Sequence, residues 1–222
     1  RSPSRGLGDV YKRQELAEDE KKWEKALGFY EAIPEGSPYS LNAEIRSAWI
    51  SHQLGETDRA ISRLEKLAEK NPTEIEPLVV LADLNRDLKN WQNAASAYGR
   101  AINNIGEAKS RLWSLHYARG IAFERMNEWT NAEADLLKAL KLRPDHPQIL
   151  NYLGYSWADR GENLEDAKDM LIKAVSLRPR DGYIVDSLGW LYYRVGDFEN
   201  AVVQLEKACL LYTSPSPRDG LL

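Results

Sequence analysis

One alanine recurs along this chain at nearly constant intervals. Ala26, Ala60, Ala94, Ala132, Ala167 and Ala201 are separated by 34, 34, 38, 35 and 34 residues. Self-similarity at a period of roughly 20–50 residues marks an array of stacked supersecondary units, which needs no single large core. The surroundings repeat too. An aromatic sits three residues before the alanine at Trp23, Trp91, Trp129 and Phe198. An apolar residue sits seven after it, at Ile33, Leu67, Ala101, Ala139, Ala174 and Ala208. Proline follows at Pro38, Pro72, Pro144 and Pro179.

The physics of one unit is legible in 182–208. Leu188, Tyr192 and Val195 fall on one face of a helix at i, i+4 and i+7. Gly196-Asp197 interrupts it, because glycine enters turn conformations freely and aspartate bonds to nearby backbone. Phe198, Ala201, Val202, Leu205 and Ala208 make the stripe of a second helix, and the alanines let the two helices approach closely. Unit 147–181 repeats the plan with Leu153-Gly154, Trp157, Gly161, Ala167, Leu171 and Ala174, and has one extra residue in its turn. Proline ends the second helices, since it lacks an N–H and disfavours helix before it.

This pattern resembles the tetratricopeptide repeat, a 34-residue helix–turn–helix with Leu-Gly in the first helix, Gly in the turn, Ala in the second helix and Pro after it. Leu188-Gly189, Gly196, Ala201 and Ala208 match, as do Leu153-Gly154, Gly161, Ala174 and Pro179. Earlier units substitute Ser47-Ala48, Leu81-Ala82 and Arg119-Gly120 for Leu-Gly, keeping the second residue small. The resemblance implies an all-α fold, a right-handed α-solenoid of stacked hairpins. The expected units are a partial repeat at 15–40 and repeats at 41–74, 75–112, 113–146, 147–181 and 182–208, with an irregular insertion from Asn104 to Arg111.

The two ends stand apart. Ser4 to Gln14 and Cys209 to Asp219 resemble translations of the two strands of one sequencing adapter, so 1–14 and 209–222 are read as non-native tails. Without the five basic and two acidic residues of the tails, the 30 basic and 34 acidic residues fall to 25 and 32, a net charge of −7. That balance argues against nucleic-acid binding. The only cysteine, Cys209, lies in a tail, which leaves 15–208 without a disulfide or thiolate site. No apolar run approaches the roughly 18 residues a membrane span needs.

In the family that the pattern resembles, first helices line a concave groove. Its expected partner-binding residues here are Trp49, Arg86, Tyr117, Arg125, Asn151, Tyr155, Asp186, Trp190, Tyr193 and Arg194, with Ile45 and Ala158 on the same stripe. Aromatics and arginines supply much of the energy at protein interfaces. The Asn151 amide can bond a peptide backbone. Trp49 and Trp190 have a second reading, as packing between neighbouring helices. Trp23, Trp91 and Trp129 open second helices where the family buries an aromatic, and Trp157 is assigned to the face inside its hairpin.

Catalytic signatures are missing. There is no GxxxxGK[ST] loop, no HExxH, and no strand before a candidate serine. His52, His116 and His146 lie in different units, a poor arrangement for zinc. The expectation is a non-enzymatic scaffold or adaptor without cofactor, binding a protein or peptide, and self-associating through an uncapped last hairpin. The segments 116–125, 151–167 and 181–196 resemble multi-repeat proteins of proteobacteria. That resemblance implies a periplasmic or envelope-anchored adaptor for a protease or assembly complex, with the cytoplasm as the alternative compartment. Two rivals stand beside it: a repeat region of a larger glycosyltransferase or peptidase, and one of a polysaccharide-secretion system. Fold alone does not choose among them.

Overall fold

The structure is a computed structural model that describes residues 22–105 and 109–213. The first adapter-like tail, the start of the partial repeat and residues 214–222 lie outside the described residues. Among the described residues there are eleven α-helices and no strand. They are α1 (Trp23–Glu31), α2 (Ser40–Gln53), α3 (Thr57–Lys70), α4 (Glu76–Asp87), α5 (Trp91–Asn103), α6 (Leu112–Arg125), α7 (Trp129–Leu142), α8 (Pro147–Arg160), α9 (Leu164–Leu177), α10 (Gly182–Arg194) and α11 (Phe198–Thr213). A short 3₁₀ turn, Lys109–Arg111, leads into α6. The all-helical expectation is met. The helices form two compact units, one ending at Glu128 and one beginning at Trp129.

Helix starts and turns follow local chemistry. Pro147 opens α8, where its missing N–H costs nothing. Gly161 caps that helix at φ 73°, a left-handed conformation that glycine adopts without a Cβ clash. Gly196 does the same after α10 at φ 81°. In the equivalent turns Lys89 and Asn127 take φ 60° and 61°. The extra residue before α9 is absorbed by Asn163, also left-handed.

In the first unit α2 pairs with α3 and α4 with α5, while α6 packs on α5. The recurring alanines Ala26, Ala60 and Ala94 are fully buried, as are Ala48 and Ala82, which stand where later hairpins have Gly154 and Gly189. Alanine is small enough at that crossing, as the sequence suggests. In the second unit α8 pairs with α9 and α10 with α11, and the first helices α8 and α10 lie against one another. Leu136, Leu153, Leu171 and Leu191 are sealed.

Acid–base pairs one repeat apart tie successive hairpins together. Lys70 reaches Glu35 at 3.1 Å and Arg100 reaches Glu65 at 2.7 Å. Arg111 donates to Glu76, and Arg194 donates to the main-chain carbonyl of Asp159. All four pairs are separated by 35 residues in the sequence. The first and last of these contacts are exposed and the other two half-exposed, where solvent screens the charges, so they fix register more than they stabilise.

The last helix differs from those before it. Val202, Val203 and Leu210 are exposed, and Leu205 is only half-buried, whereas its counterparts Leu136 and Leu171 are sealed. The helix runs on through 209–213, into the adapter-like segment, where the Tyr212 ring meets Tyr183 edge-on at 5.3 Å.

Candidate functional site

The expected groove residues lie on first helices of both units, and each unit is taken separately. In the first unit, Trp49 of α2 turns inward. Its ring meets Trp23 edge-on at 5.3 Å, inside a cluster with Ala26, Tyr30 and Ile50. The packing reading of Trp49 describes what is seen. Arg86 of α4 is held by its own hairpin. It pairs with Asp83 at 2.9 Å and donates to the Tyr98 hydroxyl at 3.1 Å, while that hydroxyl donates to Asp83 at 2.5 Å. Burial, reinforced by the Asp83 charge, pushes the Tyr98 phenol well above its ordinary range. On α6, burial raises the Tyr117 phenol to about 12. Arg125 is exposed, 3.6 Å from Glu124.

The second unit carries a denser arrangement. On α10, Trp190 stacks on Tyr193 at 5.5 Å with an interplanar angle of 24°. Tyr193 then meets Phe198 at 5.8 Å. The Arg194 guanidinium lies 5.9 Å from the Trp190 ring centre and reaches α8, where it donates to the Asp159 carbonyl. Tyr193 is 52% exposed and Phe198 61%, and on the adjoining α8 Tyr155 is 40% exposed. Asp186 is exposed on α10. Two polar atoms of this face lack a hydrogen bond from the protein: the Trp190 indole N–H, a donor, and the Asn151 Oδ1, an acceptor. Both atoms are buried.

Several expectations change. Ile45 and Ala158 are buried and not available to a ligand, because side-by-side first helices close over those stripe positions. Phe198, read as part of the apolar stripe of the second helix, is the most exposed member of the aromatic row. Trp23, Trp91 and Trp129 are half-buried rather than sealed. Trp129 shows why. Its N–H donates to Glu162 at 3.0 Å, and the Arg160 guanidinium lies 4.8 Å from its ring, so the following hairpin's turn covers one edge. Trp157 is buried, but its N–H donates at 2.6 Å to Glu133 on the preceding α7, so it joins hairpins as well as filling one.

Among the described residues no group of His, Cys, Asp and Glu is placed to hold a metal ion, and no helix is long and apolar enough to cross a membrane.

Comparison with known proteins agrees with this geometry. Family profiles described as tetratricopeptide repeat match residues 43–73, 117–181 and 186–214. A TPR repeat-containing protein of Pseudomonas aeruginosa is 30% identical over 198 residues, which is 89% of this chain and 33% of the relative. The general transcriptional corepressor ssn6 of Schizosaccharomyces pombe is 26% identical over 136 residues, 61% of this chain and 12% of the relative. The chain thus spans a third or less of the length of these curated relatives. Among solved structures, a tetratricopeptide repeat protein from Parabacteroides merdae superposes with a TM-score of 0.71 at 18% identity, covering 96% of this chain and 81% of that one. MamA gives 0.65 at 21%, covering 74% and 94%. YrrB, described as a TPR protein with an unusual peptide-binding site, gives 0.62 at 18%, covering 76% and 84%.

Proposed function

The chain carries tetratricopeptide repeats, and we propose that it is a non-catalytic scaffold that holds an extended protein segment against the first helices of its second unit. The observation that carries this reading is the aromatic row Trp190–Tyr193–Phe198, of which Tyr193 and Phe198 are exposed, with the exposed Tyr155 on the adjoining α8. Aromatic rings supply large contact area at small entropic cost. YrrB, a structural neighbour, is a peptide binder by its description, which supports the same reading here. Asp186 and Arg194 frame the row with opposite charges, while in the first unit Arg125 and Tyr117 are secondary contacts.

The proposal extends to an adaptor of the bacterial cell envelope serving a protease or assembly complex. The resemblance of 116–125, 151–167 and 181–196 to proteobacterial multi-repeat proteins supports it.

The test is selection of peptides from a displayed random library with the 222-residue chain, followed by calorimetry. Tyr155→Ala and Tyr193→Ala are each expected to weaken a selected peptide about thirtyfold, the loss of roughly 2 kcal/mol typical of an interface hot spot. Unchanged affinity in both variants would remove the site from this face.

A second expectation concerns the last hairpin. With Val202 and Val203 exposed, the chain is proposed to self-associate through α11. Sedimentation should show a concentration-dependent dimer that Val202→Glu abolishes. Strictly monomeric behaviour up to millimolar concentration would refute it.

A further inference from the structure

The first helices of the second unit leave one charge unbalanced. Helices α8 and α10 carry four charged side chains, Asp159, Arg160, Asp186 and Arg194. Both arginines are committed. Arg160 lies 3.1 Å from Glu162 and 4.8 Å from the Trp129 ring centre. Arg194 donates to the Asp159 carbonyl and stands 3.7 Å from the Asp159 carboxylate, which balances that charge. Asp186 is exposed and forms no ion pair among the described residues.

The surroundings of Asp186 suit a cation. Tyr183, Asp186, Trp190 and Tyr193 fall at i, i+3, i+7 and i+10 on α10, one stripe of that helix. Tyr183, one turn from Asp186, is 75% exposed. A tyrosine ring attracts a cation placed over its face, and a carboxylate beside the ring adds to that attraction. The same helix already shows such a contact at another position, where the Lys168 ammonium lies 5.8 Å from the Tyr192 ring centre. The spacing to the aromatic row is also suitable. Asp186 and Trp190 are separated by about 6 Å along the helix axis. Alternate side chains on one side of an extended segment stand about 6.6 Å apart.

We infer that the segment held by this face is basic, with a lysine or arginine seated between Tyr183 and Asp186 and an apolar side chain two residues away laid on Trp190 and Tyr193. The inference rests on the groove reading above and adds the partner's chemistry to it. The acidic balance of 15–208 draws such a segment in, and an acidic segment meets Asp186 as a like charge.

The experiment is an amide NMR titration of the full chain, at low and at high salt, with glycine–serine peptides built around a central leucine. Three peptides carry lysine, glutamine or glutamate two residues before the leucine, and three more carry it two residues after, which covers both chain directions. In one of the two sets the lysine peptide is expected to bind about fivefold more tightly than the glutamine peptide, the effect of one exposed charge pair with a ring contact. The glutamate peptide should be weaker again, and the differences should shrink at high salt. In Asp186→Asn the lysine and glutamine peptides should become equal, while Tyr193→Ala should weaken every peptide. Equal affinity of lysine and glutamine peptides for the wild type in both sets would overturn the inference, as would a lysine preference that survives in Asp186→Asn. A lysine peptide that shifts no α10 amide at millimolar concentration would overturn it too. If the preference is absent but Tyr193→Ala still weakens binding, only the basic chemistry fails; if Tyr193→Ala has no effect, the groove reading fails with it.

Discussion

Replacing Gly154 with valine is expected to destabilise the second unit by about 3 kcal/mol, the upper part of the range for overpacking a filled interior. A Cβ built at Gly154 would stand 3.0 Å from the Leu171 Cγ and 3.2 Å from the Ala167 carbonyl oxygen. Leu171 is fully buried and has no room to swing, and the carbonyl belongs to the backbone of α9. Gly154→Ala already meets both atoms, although alanine recovers up to about 1 kcal/mol of helix propensity over glycine. Gly189 is tighter still. Its Cβ would stand 2.8 Å from both the Leu205 Cγ and Cδ2 and 3.2 Å from the Leu205 main-chain nitrogen, which rotation of that side chain does not move. Gly189→Ala is therefore expected to cost at least as much as Gly154→Ala. For a unit of this size 3 kcal/mol corresponds to roughly 15 °C in melting temperature. Since repeat arrays need not melt in one step, amide exchange should be read helix by helix beside the thermal scan. Loss of less than about 1 kcal/mol in Gly154→Val would mean that α8 and α9 separate easily, and the close-approach account of Leu-Gly would fail.

What the sequence disclosed, and what it withheld, follows from the range of each signal. The alanine period and the glycine–aspartate turns are local, and they marked the helices and two of the left-handed turn residues, Gly161 and Gly196. Lys89 and Asn127 occupy the same conformation without the residue type that announces it. The groove stripe depends on direction rather than on spacing. A period near 3.6 says which side chains share a face, yet not how far the neighbouring first helix closes over that face. Ile45 and Ala158 are covered for this reason, while Tyr155 between the same turns of α8 is not. Arg194 shows a different limit. Within its own helix it reads as a residue offered to a partner, but it is anchored to Asp159, one repeat back. The 35-residue pairing of acid and base was present in the sequence, and only comparison across repeats, rather than along one helix, exposes it. Phe198 was hidden by its analogy to Trp129: the same position is covered when a hairpin turn lies over it and exposed when none does.

The junction between α7 and α8 yields the second large effect. Trp157→Ala is expected to cost about 4 kcal/mol, in the range for emptying a buried tryptophan site. The ring is 6% exposed, and its N–H donates to Glu133, a residue of the preceding helix pair, so the loss should loosen α7 from α8 as well as the hairpin that contains the tryptophan. Glu133→Ala alone leaves the ring in place but strands a buried donor, which costs about 1–3 kcal/mol. Glu133→Gln keeps an acceptor and should sit near wild type. Because the two residues share one contact, their effects should not add, and a double-mutant cycle should give a coupling of about 1 kcal/mol or more. If Trp157→Ala cost under about 1 kcal/mol, against the 3–5 kcal/mol usual for such a site, the aromatic at this register would not be what closes one hairpin on the next.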